Sequence, residues 1–497
     1  FIKMGVKMKK NLFRKIIISV FFIFCFSQCY SDTLTNDKKL QSYKYMKTIN
    51  SVFDFVQQNY VEEIDPKILY EGALKGMLNA IGDPYTLYLD ADAMRDLTDT
   101  TEGTFGGLGI YITKPLESTP AKPAYVEISS PMEDTPASRA GLQSGDFIIA
   151  INGEPTPDMT SDDVLERLRG PVGTSVTITI LRGKNIKFDI NLTRALIEVP
   201  TIKYSMIEGT STGYVRIIQF TPETAKRFQE ALDSFEKANY KSLIVDVRDN
   251  PGGLMVSAVE VADKFIEEGT IVDVKSRLLF ENQKFTAKKE ATTVKKGIPI
   301  VMLINNGAAS ASEILAGALK DSHLAYLVGE KTYGKGSVQQ VVPLSNTEGI
   351  KITMARYYSP SDTNIDKIGI PADLEVKNIE IKPEEEQTYT DLYNSGILPE
   401  IATENPNMTE KEIAKKAKEL AKTYPIEERL LRRLIRVQLP NSASIVYDLD
   451  YDNQLQAALD VLKTKDFNSL LKSTKSLKEL QEEAKQKDEN GKVVATK

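Results

Sequence analysis

The chain has 497 residues, of which 41% are hydrophobic and 27% are charged, and its formal net charge is −6. That length allows two or three domains with substantial cores. Residues 1–28 hold six basic side chains and no acidic one, so the remainder has 57 basic and 69 acidic residues, a net charge of −12. Because nucleic-acid binding depends on an excess of positive charge, that class of function is excluded.

The amino end has the features of an export signal. A basic stretch ends at Arg14-Lys15, and the apolar run from Ile16 to Phe26 is 11 residues long with one serine. This run is too short to span a bilayer comfortably and is typical of a signal peptide, which we place at 1–29. Both cysteines, Cys25 and Cys29, lie in or just after it. Disulfides and cysteine–zinc sites are therefore excluded from the rest of the chain.

Cys29 has two interpretations. It follows Phe26-Ser27-Gln28 and resembles a bacterial lipoprotein acylation site, although such sites favour a small residue where Gln28 stands. The alternative is an unmodified cysteine beside an ordinary cleavage site. Both interpretations predict an exported protein in the periplasm or outer envelope of a bacterium, and the first adds a lipid anchor to the membrane.

The next part of the chain is predicted to be helical. Val52, Phe53 and Val56 belong to an apolar set at helical spacing, and we assign residues 30–98 to an amino-terminal helical region. A glycine-rich turn, Gly103 to Gly109, then opens a segment of different character.

Residues 99–195 resemble a PDZ domain. Three stretches agree with that family in order and spacing: Phe105–Ile112, Ala137–Glu154 and Leu168–Thr174. Within the segment, Val176, Ile178 and Ile180 alternate with polar residues as a strand requires. A glycine-rich loop before a strand points several N–H groups into one concavity that captures a terminal carboxylate, while the strand edge pairs with the peptide.

The PDZ resemblance implies a carboxylate-binding loop formed by Gly106, Gly107, Leu108 and Gly109. It predicts that the module binds the carboxyl ends of proteins. The alternative is a small β domain whose glycines serve only tight turns.

Strands and helices alternate from residue 196 to residue 378. Predicted strands at 213–218 and 242–248 flank a predicted helix at 225–238. This alternation of strand, helix and strand predicts a mostly parallel sheet, so the fold class is α/β. With the other regions included, the whole chain is mixed α+β.

The carboxyl-terminal part is predicted to be helical and charged over residues 379–478. Its clearest apolar stripe consists of Leu455, Ala458, Leu459 and Leu462. This stripe is expected to pack on the predicted parallel sheet or on a second subunit. Residues 479–497 are rich in Lys, Glu and Gln, so we predict a disordered tail there.

Ser310 and Lys335 stand 25 positions apart in a pattern that favours a nucleophile pair. Ser310 follows the apolar run Pro299–Ile304 among small residues, and Lys335 lies between two glycines. The chain has a single histidine, His323. If the protein is a hydrolase, its catalytic base is therefore expected to be a different residue type. A Ser–Lys pair meets that need.

Each of these residues also has an ordinary interpretation. Ser310 and Glu313 match a capping box at a helix start, and Lys335 alone would be taken for a surface residue. His323 is expected to be a helix-end residue, and a Ser-His-Asp triad built on it is the remaining alternative.

Residues from about 45 to 375 resemble the carboxyl-terminal processing proteases, which are tail-specific serine peptidases of family S41 with an embedded PDZ domain. That family has S-A-S-A-S-E and, about 25 residues later, T-F-G-K-G-x-V-Q. Here the two stretches are Ala308–Glu313 and Thr332–Gln339, with alanine for the first serine and Tyr333 for phenylalanine. Asp246–Leu254 resembles the family's D-L-R-x-N-P-G-G.

The resemblance implies roles for particular residues. Ser310 is the nucleophile, Lys335 is the base, and Gln339 orients the lysine. In a strand, residues four apart face the same side, so Gln339 is expected beside Lys335. A lysine is a base only when it is neutral, which burial favours. The oxyanion donors are implied to be the backbone amides of Gly252, Gly253 and Ala311. No metal or cofactor is required.

The resemblance also implies a ClpP/crotonase-like βαβ core with an inserted PDZ domain and helical ends. The implied function is an exported serine endopeptidase that binds protein carboxyl termini and cleaves near them. Its implied partners are proteins or peptides with accessible carboxyl ends, a second copy of itself in a homodimer or oligomer, and an adaptor protein. The alternatives are a PDZ scaffold on a degenerate protease frame and a crotonase-like acyl-CoA enzyme, which the export signal and the PDZ-like insert disfavour.

Overall fold

The structure is a computed structural model and describes residues 36–115, 123–132, 135–143, 145–183, 185–379, 381–439 and 446–495. The chain forms two compact units, one ending at Tyr88 and the other beginning at Leu89. The predicted signal peptide, including Cys29, lies outside the described residues. In the part that is described, every helix is too short or too polar to cross a bilayer.

The amino-terminal region is helical, as predicted. Its elements are α1 (Asn36–Asn59), α2 (Pro66–Asn79), β1 (Leu87–Leu89) and α3 (Ala91–Glu102). Helix α2 begins where the Asp65 carboxylate accepts a hydrogen bond from the Lys67 N–H at 2.9 Å. Pro66, which has no N–H to satisfy, occupies the first helical turn. The predicted boundary between residues 98 and 99 falls inside α3.

The PDZ-like segment is an antiparallel sheet with two short helices. Its elements are β2 (Thr104–Gly107), β3 (Ile110–Thr113), β4 (Val126–Pro131), α4 (Pro136–Arg139), β5 (Phe147–Ile151), β6 (Glu154–Pro155), α5 (Ser161–Leu168), β7 (Ser175–Arg182), β8 (Ile186–Thr193) and β9 (Ala195–Glu198). The strand order is β3-β4-β5-β7-β8, so β3 is at the edge. Val176, Ile178 and Ile180 are all buried on one face of β7, which confirms the predicted alternation.

The second sheet is mostly parallel, as predicted. The elements of this layer are β10 (Ile202–Met206), β11 (Thr212–Ile217), α6 (Thr224–Lys237), β12 (Ser242–Asp246), α7 (Met255–Asp263), β15 (Ile300–Ile304), α8 (Ala311–Asp321), β16 (Tyr326–Gly329) and β19 (Leu374–Glu375). The strand order is β10-β11-β12-β15-β16-β19, and β11 to β19 pair in parallel. All five residues of β15 are buried, as expected for a strand covered on both faces.

A further antiparallel sheet lies beside this layer. Its strands in this unit are β13 (Thr270–Ser276), β14 (Gln283–Thr286), β17 (Ser337–Pro343) and β18 (Gly349–Tyr358). Strand β18 pairs with both β17 and β13, and β13 also pairs with β14. The 3₁₀ turns Leu279–Glu281 and Lys289–Ala291 flank β14. This sheet carries the segment that follows Lys335.

The carboxyl-terminal region is helical, as predicted. After a 3₁₀ turn, Pro383–Glu385, its elements are α9 (Glu386–Asn394), α10 (Ile397–Glu404), α11 (Glu410–Thr423), α12 (Glu428–Gln438), α13 (Asn453–Leu462), α14 (Phe467–Lys472) and α15 (Leu477–Ala495). Leu455 and Ala458 of α13 are buried in one cluster with Tyr214, Val301 and Val328 of the parallel sheet. The apolar stripe therefore packs on that sheet.

Helix α15 occupies the segment where the sequence predicts a disordered tail. Its first residue, Leu477, is buried in the main core, and the Leu477 N–H donates to Asp321 Oδ1 at 2.7 Å. The Lys- and Glu-rich composition that argues against a packed core also favours a helix, because both residues are good helix formers. Anchoring at one end supplies the tertiary contact that such a helix needs.

Candidate active site

Ser310 occupies the turn between β15 and α8 in a strained backbone conformation. Its φ is 56° and its ψ is −113°, a combination that residues with a side chain rarely adopt. The Glu313 N–H bonds to the Ser310 carbonyl oxygen at 2.9 Å, and Ser310 and Glu313 have the arrangement of a capping box at the start of α8. Ser310 therefore occupies the helix start in a strained and partly exposed position.

Glu313 joins the serine loop to the lysine loop. Its Oε2 accepts the backbone N–H of Ser310 at 2.9 Å and that of Lys335 at 2.8 Å. Its Oε1 accepts the Gly334 N–H at 2.8 Å and the Thr332 hydroxyl at 2.6 Å. Burial raises the pKa of Glu313, although these four hydrogen bonds favour the carboxylate. One buried side chain thus fixes the backbone positions of both predicted catalytic residues.

Tyr357 makes a second link between the same two loops. Its hydroxyl lies within hydrogen-bonding distance of the Ser310 carbonyl oxygen, at 3.1 Å, and of the Lys335 carbonyl oxygen. The side chain is 3% exposed. Ser310 and Lys335, distant in sequence, are therefore held together through both their N–H and their C=O groups.

Two glycines let a second turn approach Ser310 closely. A Cβ on Gly252, which has a φ of +107°, would lie 2.9 Å from Ser310 Cβ and 3.0 Å from Ala311 N. A Cβ on Gly253, which has a φ of +133°, would lie 2.1 Å from the Phe220 carbonyl oxygen. Neither position accepts a side chain without a shift of the backbone. The predicted oxyanion turn is thus adjacent to the predicted nucleophile.

The three predicted oxyanion donors differ in what their N–H groups do. The Gly252 N–H donates to Asn250 Oδ1 at 2.9 Å, so this donor is engaged inside its own turn. Gly253 faces Phe220 in a parallel bridge and is the middle one of three residues, Gly252 to Leu254. The Phe220 N–H donates to the Gly252 carbonyl oxygen, and the Phe220 carbonyl oxygen accepts the Leu254 N–H. In that arrangement the N–H of the middle residue points away from the bridge. Ala311 is the first residue of α8, where helical N–H groups have no partner within the helix.

Asn250 ties the glycine turn to the Ser310 loop. Its carbonyl oxygen accepts the Ala309 N–H at 3.0 Å and the Ser312 hydroxyl at 2.9 Å. Its side-chain Nδ2 donates to the Ile217 carbonyl oxygen at 2.9 Å. Asn250 is fully buried, so these bonds are shielded from water and fix the distance between the two loops.

Lys335 and Gln339 are not related as two residues of one regular strand. Strand β17 begins at Ser337, after Lys335, and a bulge interrupts its pairing between Val338 and Gln339. The Gln339 amide donates to Ser337 Oγ at 2.9 Å and to Thr353 Oγ1 at 3.2 Å. The alternation argument for a shared face therefore does not apply, and a role for Gln339 must be argued from its own contacts.

His323 lies just beyond the far end of the helix that follows Ser310. Helix α8, which is 11 residues and roughly 16 Å long, lies between the two residues. Its Nδ1 is 2.9 Å from Thr474 Oγ1. This position is incompatible with a triad in which His323 takes the Ser310 proton.

Comparisons with known proteins agree along most of the chain. The family models that match are "Peptidase family S41" over residues 211–376, "PDZ domain" over 127–182 and "Activating protease CtpB N-terminal domain" over 27–93. A carboxy-terminal-processing protease of Bartonella bacilliformis is 37% identical over 373 residues, which are 74% of this chain and 83% of that protein. The chain belongs to the carboxy-terminal-processing protease family.

The chain is also similar to other known proteins over about two thirds of its length. The carboxy-terminal processing protease CtpB of Bacillus subtilis is 33% identical over 347 residues, covering 67% of this chain and 68% of that protein. Among solved structures, the photosystem II D1 C-terminal processing protease is 27% identical, with a TM-score of 0.39, over 69% of this chain and 94% of that one. This carboxy-terminal-processing protease is a serine-type peptidase of family S41 with a PDZ domain.

The loop predicted to bind carboxylates in this protease is partly strand. Gly106 and Gly107 lie in β2 and pair with Leu196 and Ala195 of β9. The carbonyl oxygens of Leu108 and Gly109 accept the N–H groups of residues 137 and 132, at 3.0 and 2.9 Å. These bonds hold the loop at the start of the edge strand β3, which is where a PDZ domain admits a peptide.

Several residues of the site were not singled out by sequence reasoning. The sequence marks Glu313 only as a possible helix cap, and no local pattern marks Asn250, Thr332 or Tyr357. One signal was available for Glu313, because a glutamate among small and apolar helix residues, here 1% exposed, needs several partners. The partners themselves are far away in sequence.

Removing the Tyr357 hydroxyl is expected to lower the kcat of this protease about 10-fold and to leave KM almost unchanged. The substitution Tyr357→Phe keeps the ring in the core but loosens the tie between the two loops, and small misplacements of reacting groups are costly. Steady-state kinetics on a peptide substrate measures both constants. Tyr358→Phe is the matched control, and an equal loss of kcat in the two variants would contradict a specific role for Tyr357.

Proposed function

We propose that this carboxy-terminal-processing protease cleaves its substrates with a Ser310–Lys335 dyad. The observation that carries the proposal is the double link between the two residues, whose N–H groups share one oxygen of Glu313 and whose carbonyl oxygens share the Tyr357 hydroxyl. The strained backbone of Ser310 supports its assignment as the nucleophile. The position of His323 leaves lysine as the base.

The dyad accounts for each proton in peptide hydrolysis. Neutral Lys335 takes the Ser310 hydroxyl proton as Oγ attacks the scissile carbonyl carbon. The lysine ammonium then gives its proton to the leaving amine, and an acyl-enzyme remains on Ser310. Lys335, neutral again, removes a proton from the water that attacks the acyl-enzyme and returns that proton to Ser310 Oγ as the carboxyl product leaves. Gln339, whose amide is held by Ser337 and Thr353, is proposed to steer the lysine amine.

The oxyanion of the tetrahedral intermediate is proposed to bind the N–H groups of Gly253 and Ala311. The Gly252 N–H is engaged by Asn250, so we give Gly252 a different part. Its lack of a side chain lets the turn approach within van der Waals distance of Ser310. Two backbone donors held in fixed positions need little reorganisation as charge develops, which is the main advantage of an oxyanion hole.

We propose that the PDZ domain binds the substrate's carboxyl terminus before cleavage. The peptide would add as a strand to the open edge of β3, with its carboxylate at the loop Gly106–Gly109. Docking the chain end would bring a nearby peptide bond to Ser310, so cleavage would occur close to the carboxyl terminus. Partners of this kind are proteins or peptides with accessible carboxyl ends.

Amidation of the substrate's carboxyl end is expected to lower kcat/KM about 10-fold or more, mainly through KM. Amidation removes a charge whose hydrogen bonds to backbone N–H groups contribute about 1.5–3 kcal/mol. The experiment compares one loosely folded substrate with an apolar carboxyl end in its free and amidated forms. Binding of the same two ligands to the Ser310→Ala form separates docking from cleavage.

Three results would contradict this function. Equal kcat/KM for free and amidated ends would remove the docking role from the PDZ domain. Equal cleavage by the wild-type and Ser310→Ala forms would remove the nucleophile assignment. Binding of the free end without cleavage by the wild type would favour a scaffold.

Export and assembly also form part of the proposal. The basic stretch and the 11-residue apolar run at the amino end support export to the periplasm or outer envelope, with Cys29 as a candidate for lipid attachment. Self-association as a homodimer or oligomer and binding of an adaptor protein are inferred from the family resemblance.

A further inference from the structure

Arg248 connects the glycine turn to a distant helix of the carboxyl-terminal region. Its Nη1 lies 2.8 Å from Asp452 Oδ1 and 2.9 Å from Gln454 Oε1, and its Nη2 lies 2.6 Å from Asp246 Oδ2. The Arg248 side chain is 11% exposed, and that of Asp246 is not exposed at all. A buried guanidinium is thus divided between the end of β12 and the start of α13.

The two carboxyl-terminal partners of Arg248 are themselves held in place. Asp452 caps α13 by accepting the Leu455 N–H at 2.9 Å. Gln454 is 1% exposed, and its Nε2 donates to the Val376 carbonyl oxygen at 2.7 Å. Neither side chain can swing away without breaking a bond to its own surroundings, so the pair presents fixed acceptors to Arg248.

Arg248 lies two residues before Asn250, the residue that joins the glycine turn to the Ser310 loop. Between them, Asp249 adopts a φ of 58°, and its N–H donates to Asn305 Oδ1 at 2.9 Å. A backbone with such a φ needs support from its surroundings. Displacement of Arg248 would therefore be transmitted along a short, strained segment to the turn.

The charges explain why Arg248 needs more than one partner. Burial alone would raise the pKa of Asp246, but the Arg248 guanidinium and the Tyr214 hydroxyl lower it below its ordinary value. Asp246 is therefore an anion that draws Arg248 toward the sheet, while Asp452 and Gln454 draw it toward α13. Removing the second attraction would leave the guanidinium held only on the Asp246 side, through Nε and Nη2, and would release its Nη1 end.

We propose that Asp452 and Gln454 are positioning residues for the oxyanion turn and act through Arg248. The inference rests on the function proposed above for Gly253 and Ala311. It means that a helix beyond the matched peptidase segment, residues 211–376, is required to shape the catalytic turn. Asp452 and Gln454 themselves do not contact the substrate.

The substitution Asp452→Asn in the full chain tests the proposal. It is expected to lower kcat about 10-fold or more with little change in KM, since loss of one well-placed oxyanion donor costs about 10² to 10³ in kcat. Affinity for a peptide aldehyde should fall by a similar factor, because its adduct with Ser310 Oγ forms an oxyanion in the same turn. Affinity of the Ser310→Ala form for the uncleaved peptide should be the same with and without Asp452→Asn.

Asp448→Asn is the matched control. The Asp448 side chain is 16% exposed, as is that of Asp452, and it also pairs with an arginine, Arg436, whose other ion-pair partners in the described part of the chain are Glu410 and Asp450. The control should retain wild-type kcat and aldehyde affinity. The conservative variant Asp452→Glu should keep part of the kcat and the aldehyde affinity that Asp452→Asn loses. Gln454→Met, which removes a neutral partner, provides a second variant if Asp452→Asn lowers the midpoint of thermal unfolding below the assay temperature.

Three outcomes would overturn the proposal. They are a kcat for Asp452→Asn equal to that of the control, a loss confined to KM, and a loss of kcat without loss of aldehyde affinity. Failure of the underlying function is distinguishable, because in that case the Ser310→Ala form would still cleave the substrate or the wild type would not react with the aldehyde.

Discussion

Lys335→Met is expected to lower kcat about 10³-fold or more while the protein stays folded and binds substrate. Methionine has a similar length and no proton-accepting nitrogen, so general-base catalysis is lost while the side chain still fills its site. General bases contribute about 10² to 10⁴ to rate, and here the same group also protonates the leaving amine. Single-turnover measurement of peptide cleavage tests the chemical step, and binding of the uncleaved peptide tests the ground state.

The Ser310→Ala/Lys335→Met double variant tests whether the two residues act as a unit. Each single variant should lose nearly all activity, and the double variant should lose no more than either one, because catalytic groups that act together are strongly non-additive. His323→Ala is the control and should retain wild-type kcat. A loss in His323→Ala equal to that in Lys335→Met, or multiplicative losses in the double variant, would contradict the dyad.

The parts of the fold that follow from local pattern could be predicted. The alternation of strand and helix from β11 to β16 indicates a parallel sheet, and the pairing of β11, β12, β15 and β16 is parallel throughout. The alternation in β7 likewise indicates which side chains are buried. Both depend on periodicity, which short windows of sequence contain.

The ties within the site could not be predicted in this way. Asp452 and Arg248 are 204 positions apart, and no local pattern indicates that they meet. The relation between Lys335 and Gln339 was expected from strand alternation, but the strand starts later and contains a bulge. A bulge shifts the facing of side chains by one residue, and its position depends on the partner strand.

The role of Glu313 could be predicted from the sequence only in part. The spacing of Ser310 and Glu313 matches a capping box, and the Ser310 N–H does bond to the Glu313 carboxylate. The same carboxylate also accepts three groups from the lysine loop, at residues 332, 334 and 335. The local motif was therefore correct in part, and its use in joining two distant loops depends on the tertiary fold.

Glu313→Gln is expected to lower kcat about 100-fold. Each carboxylate oxygen of Glu313 accepts two donors, whereas glutamine has one oxygen and an NH₂ group that would face two donors. Either the Ser310 and Lys335 N–H groups or the Thr332 and Gly334 donors would lose their acceptor, and the two loops would separate. A displacement of about 1 Å between reacting groups costs about 10²-fold. Glu330→Gln, which alters a partly exposed glutamate nearby, is the control for kcat.

The wild type and the Glu313→Gln variant should also differ in how their free energies of unfolding depend on pH. Burial raises the pKa of Glu313 above its ordinary value of 4.5, so the folded protein binds this proton more readily than the unfolded chain does. The contribution of Glu313 to the free energy of unfolding is therefore greatest below pH 4.5 and decreases as the pH rises through the raised pKa. Glutamine does not titrate, so the stability of the wild type relative to Glu313→Gln should fall over that interval. Chemical denaturation of both forms at pH 4 and pH 7 measures the difference. A relative stability of the wild type that increases with pH would mean that the four hydrogen bonds outweigh burial, and the carboxylate would then stabilise the fold as well as align the dyad.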